Sequence, residues 1–393
     1  MQRNNFKNLI KKWFMSIDNI SLFVITGLIS IGTWVSIAST PSVAMKLGLP
    51  PFYFVKQHMI VLLLSIFIMI FISFLQIRHI RQLSVMGYFV CLVLLILTLV
   101  IGNEIKGARR WLNLLGFSMQ PSEFFKPILA VTNAWLINEQ YRDRKFPGIL
   151  LSGCSVAITI PFILMQPDIG MTIIIVSAWI GQLFISGLST VMLGCFLASS
   201  VGACFGLYFT VPHFADRIDR FMMNGGEDAD VYQVQKSLEA FRSGGLFGKG
   251  PGEGIIKNMV PDSHSDFVFS VIAEEYGFIV CFMIIALFVI LIIRSMMRAT
   301  TSSSIFSICA TFGIVLQLGL QMLINTATSL NLIPTKGMTM PFISYGGSSL
   351  LSSAISVGIL LAITKRQSIT RNRLNSSNFK SNHRLSKKSY GSR

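Results

Sequence analysis

The sequence predicts an all-α polytopic membrane protein with about ten transmembrane helices and one large periplasmic loop that contains an amphipathic helix. Three observations carry this. Of 393 residues, 52% are hydrophobic and only 13% charged, whereas soluble domains carry roughly a quarter charged residues. Apolar runs near the length of a span, about 20 residues, recur near 19–38, 57–76, 84–102, 122–138, 147–165, 169–187, 190–211, 268–293, 304–326 and 342–364. The net charge of +16 gathers at the two ends.

The chain opens on a basic arm, 1–18, with Arg3, Lys7, Lys11 and Lys12. The run after it is too long for a cleavable signal, so it reads as a first span. A transmembrane domain, 19–366, follows. The tail 367–393 carries Arg371, Arg373, Lys380, Arg384, Lys387, Lys388 and Arg393 without one acid. Its Ser, Asn and Lys content predicts disorder. Basic ends beside spans obey the positive-inside rule and favour anionic lipid, so no nucleic-acid partner is inferred. Both termini are then cytoplasmic, and the number of spans is even. Arg78, Arg81, Arg142, Arg144, Lys145, Arg294 and Arg298 also fall inside; Arg109 and Arg110 fall outside and are the exception. The cysteines Cys91, Cys154, Cys195, Cys204, Cys281 and Cys309 lie within apolar runs without a CxxC, and read as small core residues.

Three outer segments interrupt this pattern. The loop 212–267 holds Asp216, Asp219, Glu227, Asp228, Asp230, Glu239, Glu253, Asp262 and Asp266, nine of the 17 carboxylates. Val231, Val234, Leu238 and Phe241 recur there at helical spacing, which predicts an amphipathic helix on the membrane surface that stops at Gly244-Gly245. Asn103 to Met119 sets Trp111 beside Arg110, an interfacial combination. Leu330 to Gly347 predicts a bent or broken helix facing protein or water.

Several residues could carry chemistry. The glycine run from Gly244 to Gly254 is a poor phosphate loop, because no Ser or Thr follows Lys249. It reads as backbone that must bend tightly beside a surface. A weaker functional version lets its main-chain N–H groups and Lys249 approach a diphosphate. Asp262 and Asp266 stand four apart where the loop re-enters the membrane. If that segment is helical they share a face. A carboxylate at such an edge loses hydration, which moves it toward the working range of a general base. The bland alternative is that these acids and Ser263 cap the next span. No metal-ligand pattern is recognised. Glu123 and Lys126 are spaced to pair on one span, Glu274 and Glu275 lie about two turns past Asp266, and Asp168 suits a helix N-cap.

At these residues the chain resembles the FtsW/RodA/SpoVE family, the SEDS proteins of bacterial cell division and elongation. The resemblance rests on Lys106-Gly107-Ala108-Arg109-Arg110-Trp111, Gln120-Pro121-Ser122-Glu123-Phe124-Phe125-Lys126 and Gln166-Pro167-Asp168. It continues through the glycine run, Pro261-Asp262-Ser263-His264-Ser265-Asp266-Phe267, Ala273-Glu274-Glu275 and the stretch from Pro341 to Ser349. Pro334-Thr335-Lys336-Gly337 and Gly250-Pro251-Gly252-Glu253-Gly254 are similar to the division branch. Asp262, Ser263 and Ser265 depart mildly from the commoner PExHTDF wording and leave the Asp of the DF pair in place.

The resemblance implies a peptidoglycan glycosyltransferase that polymerises lipid II at the division septum and releases undecaprenyl diphosphate. It implies Asp266 as catalytic base, acting alone or with a divalent cation (magnesium or manganese), and no organic cofactor. Arg109, Arg110, Lys249, Lys336, Ser344 and Ser348 are the implied substrate-binding residues. Glu123, Lys126, Asp168, Glu274 and Glu275 take structural or conformational roles. Implied partners are a class B penicillin-binding transpeptidase and other division proteins. A lipid II flippase and a non-catalytic division scaffold remain the alternatives.

Overall fold

The computed structural model describes residues 8, 11–105, 108–114, 117–210, 215, 219, 229–260, 263–302, 304–334 and 337–365. The tail 367–393, half of the basic arm, Asp216, Glu227, Asp228, Asp262 and Lys336 lie outside them.

A helix stands at every apolar run: α1 (Asn19–Lys46), α2 (Tyr53–Phe74), α3 (Ile77–Ile101), α4 (Pro121–Arg142), α5 (Gly148–Met165), α6 (Ile169–Ile185) and α7 (Thr190–Thr210). The loop helix α8 (Ala229–Gly244) precedes α9 (Val268–Thr300), α10 (Ile305–Ser329) and α11 (Gly347–Ile363). Six of them, α1, α2, α3, α5, α9 and α10, are by length and composition able to cross a membrane, and α6 and α11 are shorter apolar helices. Local signals set several starts. Asp18 caps α1 by accepting from Ser21 N, Pro121 opens α4, and Asp168 caps α6 by accepting from Met171 N at 3.2 Å.

The protein is a membrane protein whose outward faces carry Phe23, Phe67, Phe89, Phe205, Phe209 and Phe282. Lipid tails are as apolar as these side chains, so packing and interhelical hydrogen bonds hold the bundle together. At its centre α4 and α11 lie side by side, and α10 packs on α4, α6 and α9. Gln182 Nε2 of α6 donates to Ala130 O at 2.7 Å and Cys309 O at 3.1 Å. Gln317 Nε2 donates to Lys126 O at 3.0 Å, and Ser352 Oγ to Glu123 O at 2.6 Å. Each such bond contributes about 0.6–2 kcal/mol. Close backbone approach helps: a Cβ on Gly32 would lie 1.9 Å from Phe342 O, so only glycine lets α1 meet that loop.

One end of the bundle is closed by charge. Asp18 is 2% exposed and receives Arg294 at 2.7 and 2.9 Å and Arg298 at 2.6 and 3.0 Å. Burial by itself would raise the pKa of its carboxyl, but the hydrogen bonds from Arg294, Arg298 and Ser21 outweigh it and hold the group well below the usual carboxylate range. The clasp ties the start of α1 to the end of α9.

The structure corrects the sequence reading in several places. The helical membrane fold holds, with one addition in an outer loop: Asn103–Ile105, Ala108–Leu114 and Phe117–Met119 form an antiparallel three-stranded meander, β1-β2-β3. Alternation in Arg109-Arg110-Trp111-Leu112-Asn113, with Leu112 buried and Arg109 and Asn113 exposed, is a period-2 signal that a search for spans passes over. Helix α8 forms as expected but docks on protein. Val234, Ser237 and Ala240 are buried, the helix packs along α9, and Ser237 Oγ donates to Ser329 O at 2.7 Å. Cys154 and Cys195 face outward, and only Cys91, Cys281 and Cys309 are core residues among the described cysteines.

Candidate functional site

The candidate site lies at the end of the bundle opposite Asp18, where the acidic loop returns to α9. That helix breaks at Gly277, whose φ of 80° and ψ of 178° are non-helical. A break at membrane depth needs other partners for its backbone. The glycine run provides them: Lys249 N and Gly250 N donate to the carbonyls of Glu274 and Glu275 at 2.9 and 3.0 Å. Phe278 N donates back to Gly245 O at 3.0 Å, and Ile279 N to Leu246 O at 3.3 Å. A Cβ on Gly248 would lie 2.2 Å from Glu275 O, and one on Gly277 2.3 Å from Leu246 O. The run is therefore glycine-rich because two backbones touch there. The expectation that its N–H groups approach a diphosphate is overturned for Lys249, Gly250 and Gly252, since helix α9 already takes them.

Glu274 and Glu275 complete this clamp. Glu274 is fully buried, with Oε1 accepting from Ile255 N and Ile256 N at 2.9 and 2.8 Å and Oε2 from Lys257 N at 2.7 Å. Glu275 accepts from Gly252 N at 3.1 Å and pairs with the Lys257 ammonium. Lys257, 4% exposed, also donates to Ala38 O at 3.2 Å and Gly252 O at 3.3 Å. Lys249 Nζ sits 3.9 Å from Glu274 Oε1 and is more than one-third exposed. Sequence reasoning missed Lys257. The signal for it was a lone lysine in the apolar stretch from Gly254 to Val260, the kind of charge that must find a partner when buried.

Asp266 lies in a turn, 263–267, that leads into α9. The expected face shared with Asp262 lies outside the described residues. Phe267 is the N-cap residue, with no side-chain bond to the helix end. The turn is fixed through its main chain. Asn325 Nδ2 donates to Asp266 O at 2.9 Å and to Met338 O at 2.7 Å. Ser344 Oγ donates to Ser265 O at 2.6 Å and accepts from Met340 N at 2.8 Å. Tyr345 N donates to His264 O at 2.9 Å. The Asp266 side chain is half-buried against Gly337, where an added Cβ would stand 3.0 Å from Oδ2. The segment from Gly337 to Gly346 is irregular backbone rather than a bent helix, with Phe342 held at φ 63°.

The other predicted residues surround this turn at two removes. Ser348 Oγ accepts from Gln120 N at 3.0 Å, and Gln120 Nε2 reaches Asp168 Oδ2 at 3.4 Å. Arg110 stands 3.9 Å from the same carboxylate; its Nε donates to Gln166 O at 2.9 Å and its Nη2 to Pro167 O. Arg109 is exposed and 3.4 Å from Glu104. A Cβ on Gly170 would meet Met338 Sδ at 3.1 Å, which brings the start of α6 against the strip that holds Asp266. Below, Glu123 and Lys126 pair at 2.7 Å, both nearly inaccessible. The stretch from Met338 to Ser349 is thus the keystone. Ser344 binds the Asp266 turn, and Ser348 binds the Arg110–Asp168–Gln120 group. Asn325, also missed, carried no charge or motif that set it apart in α10. Among the described residues no group of three or more His, Cys, Asp or Glu is arranged to hold a metal.

A family model named for FtsW, RodA and SpoVE and described as a cell cycle protein matches residues 18–369. The chain is 37% identical over 359 residues to a Caulobacter vibrioides (strain NA1000 / CB15N) protein named "Probable peptidoglycan glycosyltransferase FtsW", covering 90% of this chain and 91% of that one. A protein of the same name from Coxiella burnetii (strain RSA 493 / Nine Mile phase I) is 34% identical over 322 residues, covering 80% and 87%. The solved structure of the rod shape determining protein RodA of Thermus thermophilus matches with a TM-score of 0.65 at 26% identity, over 90% of this chain and 98% of that one. A chain of a peptidoglycan synthase complex that coordinates polymerization and crosslinking has the same fold, with a TM-score of 0.73 at 23% identity over 88% and 97%.

Proposed function

The chain belongs to the family of FtsW, RodA and SpoVE cell-cycle proteins, and we propose that it is a peptidoglycan glycosyltransferase that polymerises lipid II on the outer face of the bacterial inner membrane. In the reaction, the 4-hydroxyl of one disaccharide attacks the anomeric carbon of another. A glycosidic bond forms, the bond to undecaprenyl diphosphate breaks, and the hydroxyl proton passes to a base. Asp266 is that base. The observation that carries this reading is its placement: a half-exposed carboxylate at the mouth of the bundle, in a turn fixed by Asn325 and Ser344. A general base must be held in position, and such groups contribute about 10²–10⁴-fold to rate.

The departing diphosphate needs cations. Arg109 and Lys249 are exposed enough to meet it, Arg110 lies behind them, and Lys336 is proposed from the motif alone. A divalent cation, magnesium or manganese, fits only in part. Asp266 offers one carboxylate, so the ion would take its other ligands from the diphosphate and water, as magnesium commonly does. Chelation should then slow the reaction. The proposed partner is a class B penicillin-binding transpeptidase, with both termini cytoplasmic and the protein enriched at the septum.

A flippase is the second reading, favoured by the polar residues that run through the bundle: Glu123, Lys126, Gln182, Gln317, Ser352 and Ser356. These are sealed, with Gln182, Gln317 and Ser352 bonded across helices, which suits packing better than passage. The deciding experiment is polymerisation of lipid II by the purified protein with its transpeptidase. Asp266→Ala should abolish it, while full activity in the folded variant removes Asp266 as base. Movement of lipid II across liposomes without polymer would favour the flippase, and intact division in cells carrying Asp266→Ala the scaffold.

A further inference from the structure

Beside Asp266 the mouth carries an aromatic cluster that the chemistry above leaves unused. The His264 and Tyr345 rings meet with centroids 5.5 Å apart. Phe54, in the first turn of α2, stacks 6.2 Å from His264 at 24° and lies edge-on to Tyr345 at 5.6 Å. Tyr53 sets its ring 5.4 Å from Phe54, and buried His58 closes the base 5.9 Å from Tyr345. The polar tips form a row of their own. Tyr345 Oη donates to Gln57 Oε1 at 3.0 Å, and Gln57 Nε2 donates to Tyr53 Oη at 3.0 Å. Burial, with Tyr53 nearby, pushes the Tyr345 phenol up to about 12, so it stays a donor. Tyr53 and Gln57 are exposed, while Phe54, His264 and Tyr345 are half-buried.

The polar tips bond to one another along an exposed rim, where a cluster made only for packing would seal them inside, and anchoring at the interface would not need them tied in a row. Rings backed by protein, with donors and acceptors ranged along their rim, match a pyranose instead. Such a sugar presents an apolar C–H face and an edge of hydroxyl and acetamido groups, and sites of this kind combine aromatic walls with a few placed polar groups. We propose that the Tyr53–Gln57–Tyr345 rim, with Phe54 and His264 behind it, is a saccharide platform that seats an acetamido-hexose ring of the glycan next to Asp266. This rests on the glycosyltransferase reading. The platform adjoins Asp266: His264 belongs to the same turn, and Tyr345 N donates to its carbonyl.

The test uses the full chain in nanodiscs and a lipid-free tetrasaccharide of alternating N-acetylglucosamine and N-acetylmuramic acid. Saturation-transfer NMR reads sugar contact without turnover. Tyr53→Ala with Gln57→Ala changes exposed side chains only, and an unchanged thermal midpoint confirms the fold. Sugar contact should fall about 3–10-fold. The lipid II KM should rise by a similar factor at unchanged kcat, with shorter strands. Tyr345→Phe, which keeps the ring and loses the tie to Gln57, should show a smaller effect of the same sign. Undiminished sugar contact in the double variant, or none in the wild type, overturns the platform. Failure of the glycosyltransferase reading looks different, as a wild type that makes no polymer from lipid II.

Discussion

Asp266 and Glu274 stand eight residues apart at one end of the bundle, and the chain uses them in opposite ways. Glu274 is fully buried, and its two oxygens accept three backbone N–H groups of the segment 255–257. Asp266 is half-buried, and its main-chain carbonyl accepts from Asn325. One acid builds the loop; the other is carried by it. In the sequence both are acids near the start of the same apolar run. Their difference lies in burial: the Glu274 carboxylate is sealed inside the fold, and that of Asp266 is half-buried at its edge.

The sharpest way to break this comparison is to remove each carboxylate in turn. Asp266→Ala should lower polymerisation by about 10²–10⁴-fold in protein whose thermal unfolding in detergent shows that it is folded. Glu274→Ala should do the reverse in kind. It strands three backbone N–H groups, two of them buried at about 1–3 kcal/mol each, so the unfolding midpoint should drop by several degrees and activity should fall only with the folded fraction. A Glu274→Ala protein as stable as wild type would end the distinction.

The buried Lys257–Glu275 pair sharpens the same point. Lys257→Met leaves a charged carboxylate buried and should cost about 3–5 kcal/mol. Adding Glu275→Gln should recover much of that loss, since no charge is then stranded. Additive losses in a double-mutant cycle would mean that the two residues act separately.

The smallest effect belongs to the opposite end. The folded-state pKa of Asp18 is depressed, so its contribution is fully present above the unfolded carboxylate range, near pH 4, and is lost as pH falls through the lower folded value. The stability gap between wild type and Asp18→Asn, followed by chemical denaturation, should be constant from pH 7 to about 5. It should narrow below about pH 4. A gap that widens with acid would reverse the sign and remove the clasp as its cause.

Much of this was legible in one dimension. The ten apolar runs, the α8 helix with its stop at Gly244, and the Asp168 cap follow from hydropathy, period and short-range capping, which act over a few residues. The family followed from motifs in order, and the match over residues 18–369 agrees with it. The meander was not legible, because its strands are short and only Ala108–Leu114 shows a clear alternation. Lys257 and Asn325 were not legible either, since nothing in their neighbourhoods names partners as far off as Ala38, Glu275 or Met338.

The sequence by itself determined that the chain lives in a membrane, where its helices run and which acids are candidates. Those properties depend on composition and local period, and lipid enforces them on any chain of this pattern. Tertiary structure alone decided that the glycine run serves the break at Gly277. It also decided that Glu274 is a structural anion and that Ser344 and Tyr345 hold the turn that carries Asp266. Those facts come from contacts between segments far apart in the chain, where a buried polar group takes whichever partner the packing brings within reach.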